Sequence, residues 1–442
     1  MPKFRIPRDA RDIINKLKKR GYKAYLVGGC VRDLVMKCPP IDYDITTDAH
    51  PDDIRKIFKK CNFIGAKFGV VRVIVNKKEY ELATFRKDIG YRDGRHPTKI
   101  RFTNEKEDVL RRDFTVNGLL YDIDKKSIID YSQGQKDIKK RLIRTIGEPA
   151  KRFKEDYLRM LRAVRFSVQL KFKMAPQTLR AIKSCSKNIS KISAERIRDE
   201  LIKILTGPDP EKGLILLQKS GLLKHILPEI ELMIGVKQPP QFHKLGDVFN
   251  HTLGLFSYSK NLSCTLAFGA LLHDVGKPKT QTIKDRIRFD GHVEIGCLMA
   301  HNICMRLKLP LNTTEQIGEL VKNHMRFIDV KKMRESTLKR FLRMDHFDDH
   351  LELHRLDCLA SHGDISNWRY CRKKLKQFKA LSAKEVLRPP PLISGHDLIR
   401  MGLRPGPQFK IILNELETLQ LESKLSRKQD ALNYVKSKYV NN

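Results

Sequence analysis

The stretch YLVGGCVRDLVMKCPPIDYDITT, Tyr25 to Thr47, decides the fold. Residues 24–27 (AYLV) predict a short buried strand that stops at Gly28-Gly29. A helix over 31–37 follows, and 41–46 (IDYDIT) alternate like a second strand. Paired glycines let the backbone approach a phosphate, and the helix after them offers free N–H groups. Arg32, one turn in, adds a charge-assisted contact. At i and i+2 on a strand, Asp42 and Asp44 share one face. Two carboxylates there repel unless a cation lies between them, and Mg²⁺ suits such hard oxygens while keeping room for phosphate. Gly-Gly alone reads as a plain turn and DxD alone as a surface strand. Joined in one strand–helix–strand unit, they point to a nucleotide phosphate site.

Outward from this unit, Pro51 starts a helix through Lys60. The runs Val70–Val75 and Glu79–Phe85 flank Asn76-Lys77-Lys78, a hairpin signal. Residues 86–107 (RKDIGYRDGRHPTKIRFTNEKE) are polar, with Gly90, Gly94 and Pro97, and read as a long mobile loop. Mixed structure continues to about Gly147. Beyond Pro149 helical periodicity takes over, as in EDYLRMLRAVRFSVQL and SAERIRDELIKIL. Pro239-Pro240 and RPPPLISG (388–395) punctuate the rest. The reading is an α+β head, 1–147, followed by an elongated all-α body. That body divides into a helical neck (148–240), a second helical block (241–387) and a helical tail (388–442).

The 442 residues carry 88 Lys plus Arg against 51 Asp plus Glu, a net charge of +37. An excess of that size, spread along the chain, repels itself unless a polyanion is near, and nucleic acid is the natural candidate. There is no apolar run long enough to span a bilayer and no signal-peptide core in MPKFRIPRDARDI, so a cytoplasmic protein is expected. The nine cysteines are scattered without a CxxC pair and read as reduced thiols, mostly core filler.

GGCVRD (28–33) with DYD (42–44), RRDFTVN (111–117), GQKDIKKRLIRTIG (134–147) and EDYLRMLRAVRF (155–166) stand in a fixed order. This combination resembles the class II tRNA nucleotidyltransferases (CCA-adding enzymes) and the related bacterial poly(A) polymerases. Their heads are similar to DNA polymerase β. The resemblance implies Mg²⁺ on Asp42 and Asp44, with Gly28, Gly29 and Arg32 on the triphosphate and Arg111 or Arg112 nearby. It also implies Asp113 and Asn117, in RRDFTVN, at the same nucleotide site. Glu81, in YELATFR, lies where a third acidic residue of such sites sits; the plainer reading is an ordinary strand glutamate.

Glu155 to Phe166 reads as one helix, with Asp156 and Arg159 neighbours on its surface and Arg162 and Arg165 continuing the stripe. Without the head motifs it would pass for a solvated face with pairs such as Glu155–Arg159. Cytosine and adenine each present an amino donor beside a ring-nitrogen acceptor, whereas uracil and guanine present a carbonyl beside an N–H. A fixed carboxylate and guanidinium together accept the first pair and reject the second. The resemblance gives that role to Asp156 and Arg159, and places Arg162 and Arg165 near the phosphates or ribose. It implies transfer of nucleotides from CTP and ATP to a tRNA 3′ end, as CCA or its terminal A; a poly(A) polymerase is the alternative. KISAERIRDEL (191–201) and the 86–107 segment lean toward the tRNA enzymes.

Further on, FNHTL (249–253), LLHDVGKPKT (271–280), FDGHVEIG (289–296), KNHMR (322–326) and LHRLDCLASHGD (353–364) follow in order. The series His251, His273-Asp274, His292, His324 and Asp357 resembles the HD phosphohydrolase domain. Imidazole with carboxylate suits Mn²⁺, Ni²⁺, Fe or Mg²⁺, so the resemblance implies a second divalent metal and phosphatase or phosphodiesterase chemistry. The plainer reading is a helical scaffold whose site no longer turns over.

Overall fold

The structure is a computed structural model that describes residues 4–62, 68–91, 97–239, 246–380 and 387–440. The head begins with α1 (Arg8–Lys19), β1 (Ala24–Val27), α2 (Gly29–Val35), β2 (Asp44–Thr47), α3 (Pro51–Ile57) and β3 (Cys61–Asn62). It continues with β4 (Val70–Val75), β5 (Lys78–Thr84), β6 (Arg86–Tyr91), β7 (Pro97–Phe102), α4 (Glu105–Leu110), β8 (Leu119–Asp122), β9 (Ser127–Asp130) and α5 (Gly134–Lys139). One mixed sheet runs in the order β3-β4-β5-β2-β1-β8-β9, with only the β2–β5 pair parallel. All four side chains of β1 are buried, as AYLV predicts for a central strand. Asn76 and Lys77 both take positive φ (49° and 64°), so the β4–β5 hairpin closes on the primed turn that matches strand twist.

Two expectations change here. The segment 86–107 is no loop in its described part: β6 and β7 pair antiparallel as a two-stranded ribbon, and α4 follows from Glu105. Ladder hydrogen bonds are made by backbone and do not need an apolar face, so a polar sequence hid them. Residues 92–96 lie outside the described residues. Secondly, β2 starts only at Asp44, so Asp42 precedes the strand. Pro39 and Pro40 just upstream cannot donate to a ladder and hold this segment off the sheet.

From Pro149 the chain is helical, as expected. A short parallel pair, β10 (Leu142–Ile143) with β11 (Lys173–Met174), brackets α6 (Pro149–Glu155) and α7 (Leu158–Gln169). Then come α8 (Pro176–Cys185), α9 (Ala194–Leu205) and α10 (Pro210–Lys219), with short α11 (Leu223–Ile226) and α12 (Pro228–Glu231). Next follow α13 (Val248–Ser257), α14 (Cys264–Leu272) and α15 (Lys277–Thr280), a small hairpin, and α16 (His292–Arg306). The series closes with α17 (Leu311–Asn323), α18 (Glu335–Leu342), α19 (Phe347–Ala360), α20 (Ser366–Ala380) and three helices from Gly395 onward. The chain divides into two compact units, one of Met1–Leu232 with Lys260–Ala267 and Asn302–Leu311, the other of the remaining residues.

The expected single helix from Glu155 to Phe166 is broken. Asp156 is extended (φ −150°, ψ 107°) between α6 and α7, and its Oδ1 accepts the backbone N–H of Leu158 at 3.0 Å. A short acidic side chain competes for backbone donors and prefers a helix start to a helix interior.

Candidate active site

One end of the head sheet is where the site forms. Val27 pairs with Asp44 on one side and with Leu120 on the other, so Gly28, Asp44 and the turn before β8 share that end. Parallel β2 and β5 align Ile45 with Leu82, which sets Glu81 beside Asp44. Gly28 has φ 76°, a left-handed conformation that favours glycine, and a Cβ there would stand 3.5 Å from the Arg112 guanidinium.

Asp44 is half-buried and Asp42 exposed. Burial pushes the Asp44 carboxyl up to about 6, the charges of Glu81 and Asp42 push the same way, and Arg112 opposes them. Carboxylates gathered this closely form a donor set matched to a hard divalent cation. Glu81 is itself exposed on β5.

Around them lies a cavity of about 580 Å³. Its walls include Gly28, Gly29, Arg32, Asp42, Asp44, Arg111, Arg112, Asp113, Asn117, Asp156, Arg159, Arg162 and Arg165. Every nucleotide-site residue expected from the sequence, Glu81 excepted, thus faces one space. A hydrogen-bonded relay ties the walls together. Arg32 Nη1 donates to Asn117 Oδ1 (2.7 Å), Asn117 Nδ2 donates to Asp113 Oδ1 (3.2 Å), and Arg162 donates twice to Asp113 Oδ2 (2.6 and 2.9 Å). Burial alone would raise Asp113, but the Arg162 charge and hydrogen bonds, Arg159 and Asn117 outweigh it and hold the carboxyl down at about 2. The guanidinium groups of Arg165, Arg162 and Arg32 gather over the Phe166 ring at 4.2, 5.4 and 5.7 Å.

The side chains of Asp156 and Arg159 do not pair with each other. Arg196, reaching from α9, donates to Asp156 Oδ2 at 2.9 Å. Arg159 donates to Glu155 Oε2 (2.7 Å) and to the carbonyls of Arg152 (3.1 Å) and Arg111 (3.2 Å). The Glu155–Arg159 pair of the plainer reading therefore exists, but it is largely buried, with side chains 14% and 11% exposed, and is not a solvated face. Four residues lay beyond the sequence reading. Asp108 has no exposed surface; its Oδ1 accepts from Arg111 (2.6 Å) and its Oδ2 from Arg112 (3.0 Å). Arg196 and Glu200, one turn apart on α9, stand against Asp156 and Arg165, the latter at 3.1 Å. Phe166 carries the cations. The i,i+3 and i,i+4 spacing of Asp108 to Arg111 and Arg112 was the available signal.

The second unit holds the other predicted cluster. His273 and Asp274 directly follow α14, where successive side chains converge. His251 Nε2 lies 3.1 Å from Asp357 and 3.3 Å from His273 Nε2. Asp274 lies 3.2 Å from His273, 3.9 Å from His292 and 3.8 Å from His324. Two triads result, His251–His273–Asp357 and Asp274–His292–His324, each with donor atoms close enough for one ion. Nδ1 of His273, His292 and His324 meets the carbonyls of Ala270, Phe289 and Val321 at 2.9, 2.8 and 2.6 Å, which puts the proton on Nδ1 and the lone pair on Nε2. The Nε2 atoms of His292 and His324 are buried without a hydrogen-bond partner, and burial holds His324 down at about 4. Imidazoles that donate through Nδ1 and turn Nε2 inward fit a transition metal. Lys277 Nζ donates to Gln238 Oε1 and lies 2.7 Å from both that atom and Asp274 Oδ2.

Three family models match the chain: a poly A polymerase head domain over residues 24–144, a probable RNA- and SrmB-binding site of polymerase A over 171–233, and an HD domain over 248–352. A CCA-adding enzyme of Levilactobacillus brevis is 32% identical over 430 residues, 96% of this chain and 96% of that one. The chain belongs to the CCA-adding enzyme family. Another member, from Lactobacillus johnsonii, is 44% identical over 218 residues; that match covers 49% of this chain and spans about half (54%) of the relative's length. Among solved members, the Bacillus stearothermophilus CCA-adding enzyme in complex with CTP superposes with a TM-score of 0.74, at 26% identity, over 98% of each chain. The family's head and helical body are thus both present.

Proposed function

We propose that the chain is a template-independent RNA nucleotidyltransferase that adds CCA to the 3′ end of tRNA from CTP and ATP, releasing pyrophosphate. The observation that carries this reading is the cavity in which Asp42 and Asp44 face a crowd of arginines and the separately held Asp156 and Arg159. In the reaction the RNA 3′-oxygen attacks the α-phosphorus, the bond to the β-phosphate oxygen breaks, and the hydroxyl proton is lost. Asp42 and Asp44, with Glu81 beside them, would hold Mg²⁺, which when bound neutralises phosphate charge and acidifies the attacking hydroxyl. Arg32, Arg111 and Arg112 bind and orient the triphosphate. Asp156 accepts from the amino group of cytosine or adenine while Arg159 donates to the ring nitrogen; a wrong base turns a carbonyl on the carboxylate and an N–H on the guanidinium, so neither bond forms. We divide the work among a head (1–147), a base-reading neck (148–240), an HD domain (241–387) and a tail (388–442), and place the protein in the cytoplasm. Among the described residues no helix is long and apolar enough to cross a membrane.

Incubation with tRNA lacking CCA, one labelled nucleotide at a time, tests the reading. CTP incorporation followed by ATP supports it. ATP only after a CC end makes it an A-adding enzyme, and a long A run makes it a poly(A) polymerase. Asp42→Ala should abolish incorporation with the fold intact; a normal rate overturns the metal assignment.

A second reading concerns the histidine triads. Their inward Nε2 atoms favour divalent metal binding and phosphohydrolase activity in this domain. Metal analysis of the purified chain, then assays on 2′,3′-cyclic and 5′ nucleotides, tests it; a metal-free, inert preparation leaves only the scaffold.

A further inference from the structure

The helix α20, SNWRYCRKKLKQFKA, stands apart from its neighbours in charge. It carries Arg369, Arg372, Lys373, Lys374, Lys376 and Lys379 and no Asp or Glu. Its inner face is fixed by packing: Cys371 and Phe378 are buried in the core of Phe327, Phe341 and Phe347, with Trp368, Tyr370 and Leu375 half-buried against it. The exposed cations Arg369, Arg372, Lys373 and Lys376 therefore fall at i, i+3, i+4 and i+7, one stripe on the outward face. The stripe is roughly 10 Å long, enough for two or three backbone phosphates of a nucleic acid strand. Arg369 with Lys373 and Arg372 with Lys376 are like charges at i,i+4, which weaken a helix. Other helices of this unit offset their cations: Glu335 pairs with Lys339, Glu352 with Arg355 and Glu319 with Lys322. Among the described residues none of the four stripe cations has an ion pair. Trp368 lies beneath the Arg372 guanidinium at 5.0 Å.

We propose that this outward face of α20 is an RNA grip, binding the phosphate backbone of the acceptor RNA at a place separate from the nucleotide cavity. It rests on the reading of RNA as substrate. An uncompensated cationic stripe costs the free helix stability that a bound polyanion returns. An anionic membrane is disfavoured because the apolar side chains of α20 turn to the core, leaving none exposed to enter lipid.

The test is the full-length variant carrying Arg369→Gln, Arg372→Gln, Lys373→Gln and Lys376→Gln. With tRNA lacking CCA, its KM for RNA should rise about tenfold while kcat and the KM for CTP stay within twofold. The slope of log K against log salt for RNA binding should shrink by about two to three, near 0.9 per lost phosphate contact. Its Tm without RNA should match or exceed the wild type, because like charges are removed; a lower Tm makes the stripe structural and overturns the proposal. A charge-preserving variant, Arg369→Lys with Arg372→Lys, should retain RNA binding; loss of binding there overturns a phosphate grip. Unchanged RNA KM and salt slope in the Gln variant also overturn it. So does loss of binding to phosphatidylserine vesicles with RNA binding intact. If the wild type binds RNA through the stripe yet incorporates no nucleotide, the grip stands and the proposed transferase activity falls.

Discussion

Asp108 gives one oxygen to each of two arginines, and both arginines face the cavity. Asp108→Asn keeps the size but replaces one acceptor oxygen with an NH₂ donor, leaving Arg111 or Arg112 without its anchor. A buried charge-assisted bond lost this way costs about 1–3 kcal/mol. The KM for CTP and ATP should rise together, by about ten- to a hundredfold, with base preference unchanged; steady-state kinetics on each nucleotide will read this. Asp113 makes a pH prediction. Its folded pKa of about 2 lies below the ordinary 3.8, so its contribution is complete above about pH 4 and is lost as pH falls toward 2. Urea unfolding should find Asp113→Asn less stable than wild type by roughly 2 kcal/mol near neutrality, with the gap closing between about pH 4 and pH 2. The DxD pair and the Gly-Gly turn were legible because their chemistry is local. Asp108 was missed because a buried acid among charged neighbours, EKEDVLRRD, looks like surface until the fold closes over it.

At the scale of elements, the break at Asp156 sets the proposed base reader apart from an ordinary helix. Periodicity favoured a continuous helix because Leu158, Leu161 and Phe166 keep the same spacing on either reading. The deciding partner, Arg196, arrives from α9, and pairing across helices leaves no periodic trace. For the same reason the β6–β7 ribbon was invisible, although the β4–β5 hairpin was plain from its turn residues. Arg196 makes no break in the chain, so its removal is a clean test of aim. Arg196→Ala should raise UTP and GTP incorporation relative to CTP and ATP by about tenfold, more than it lowers the rate with CTP. Arg196→Lys should recover part of the selectivity. Competition assays with mixed nucleotides measure both, and equal loss of rate on all four nucleotides would make the contact merely structural.

At the scale of the whole molecule, two donor sets coexist among the described residues. The head offers carboxylate oxygens only, whereas the HD unit offers imidazole nitrogens with two carboxylates. Hard and borderline donors sort metals differently. Phenanthroline in excess Mg²⁺ should therefore abolish any nucleotide hydrolysis and leave CTP incorporation within twofold, as followed in parallel assays on one preparation. The division into a mixed head and helical body was legible from periodicity, because thirteen-residue amphipathic runs and β-rich runs rarely mimic each other at that length (roughly four turns against one strand). The cationic face of α20 has one more outcome. Added salt screens repulsion within the free protein and firms it, yet the same ions compete with phosphate contacts and loosen the complex. Shelf life and substrate capture therefore respond to ionic strength in opposite directions, and a buffer chosen for one is the wrong buffer for the other.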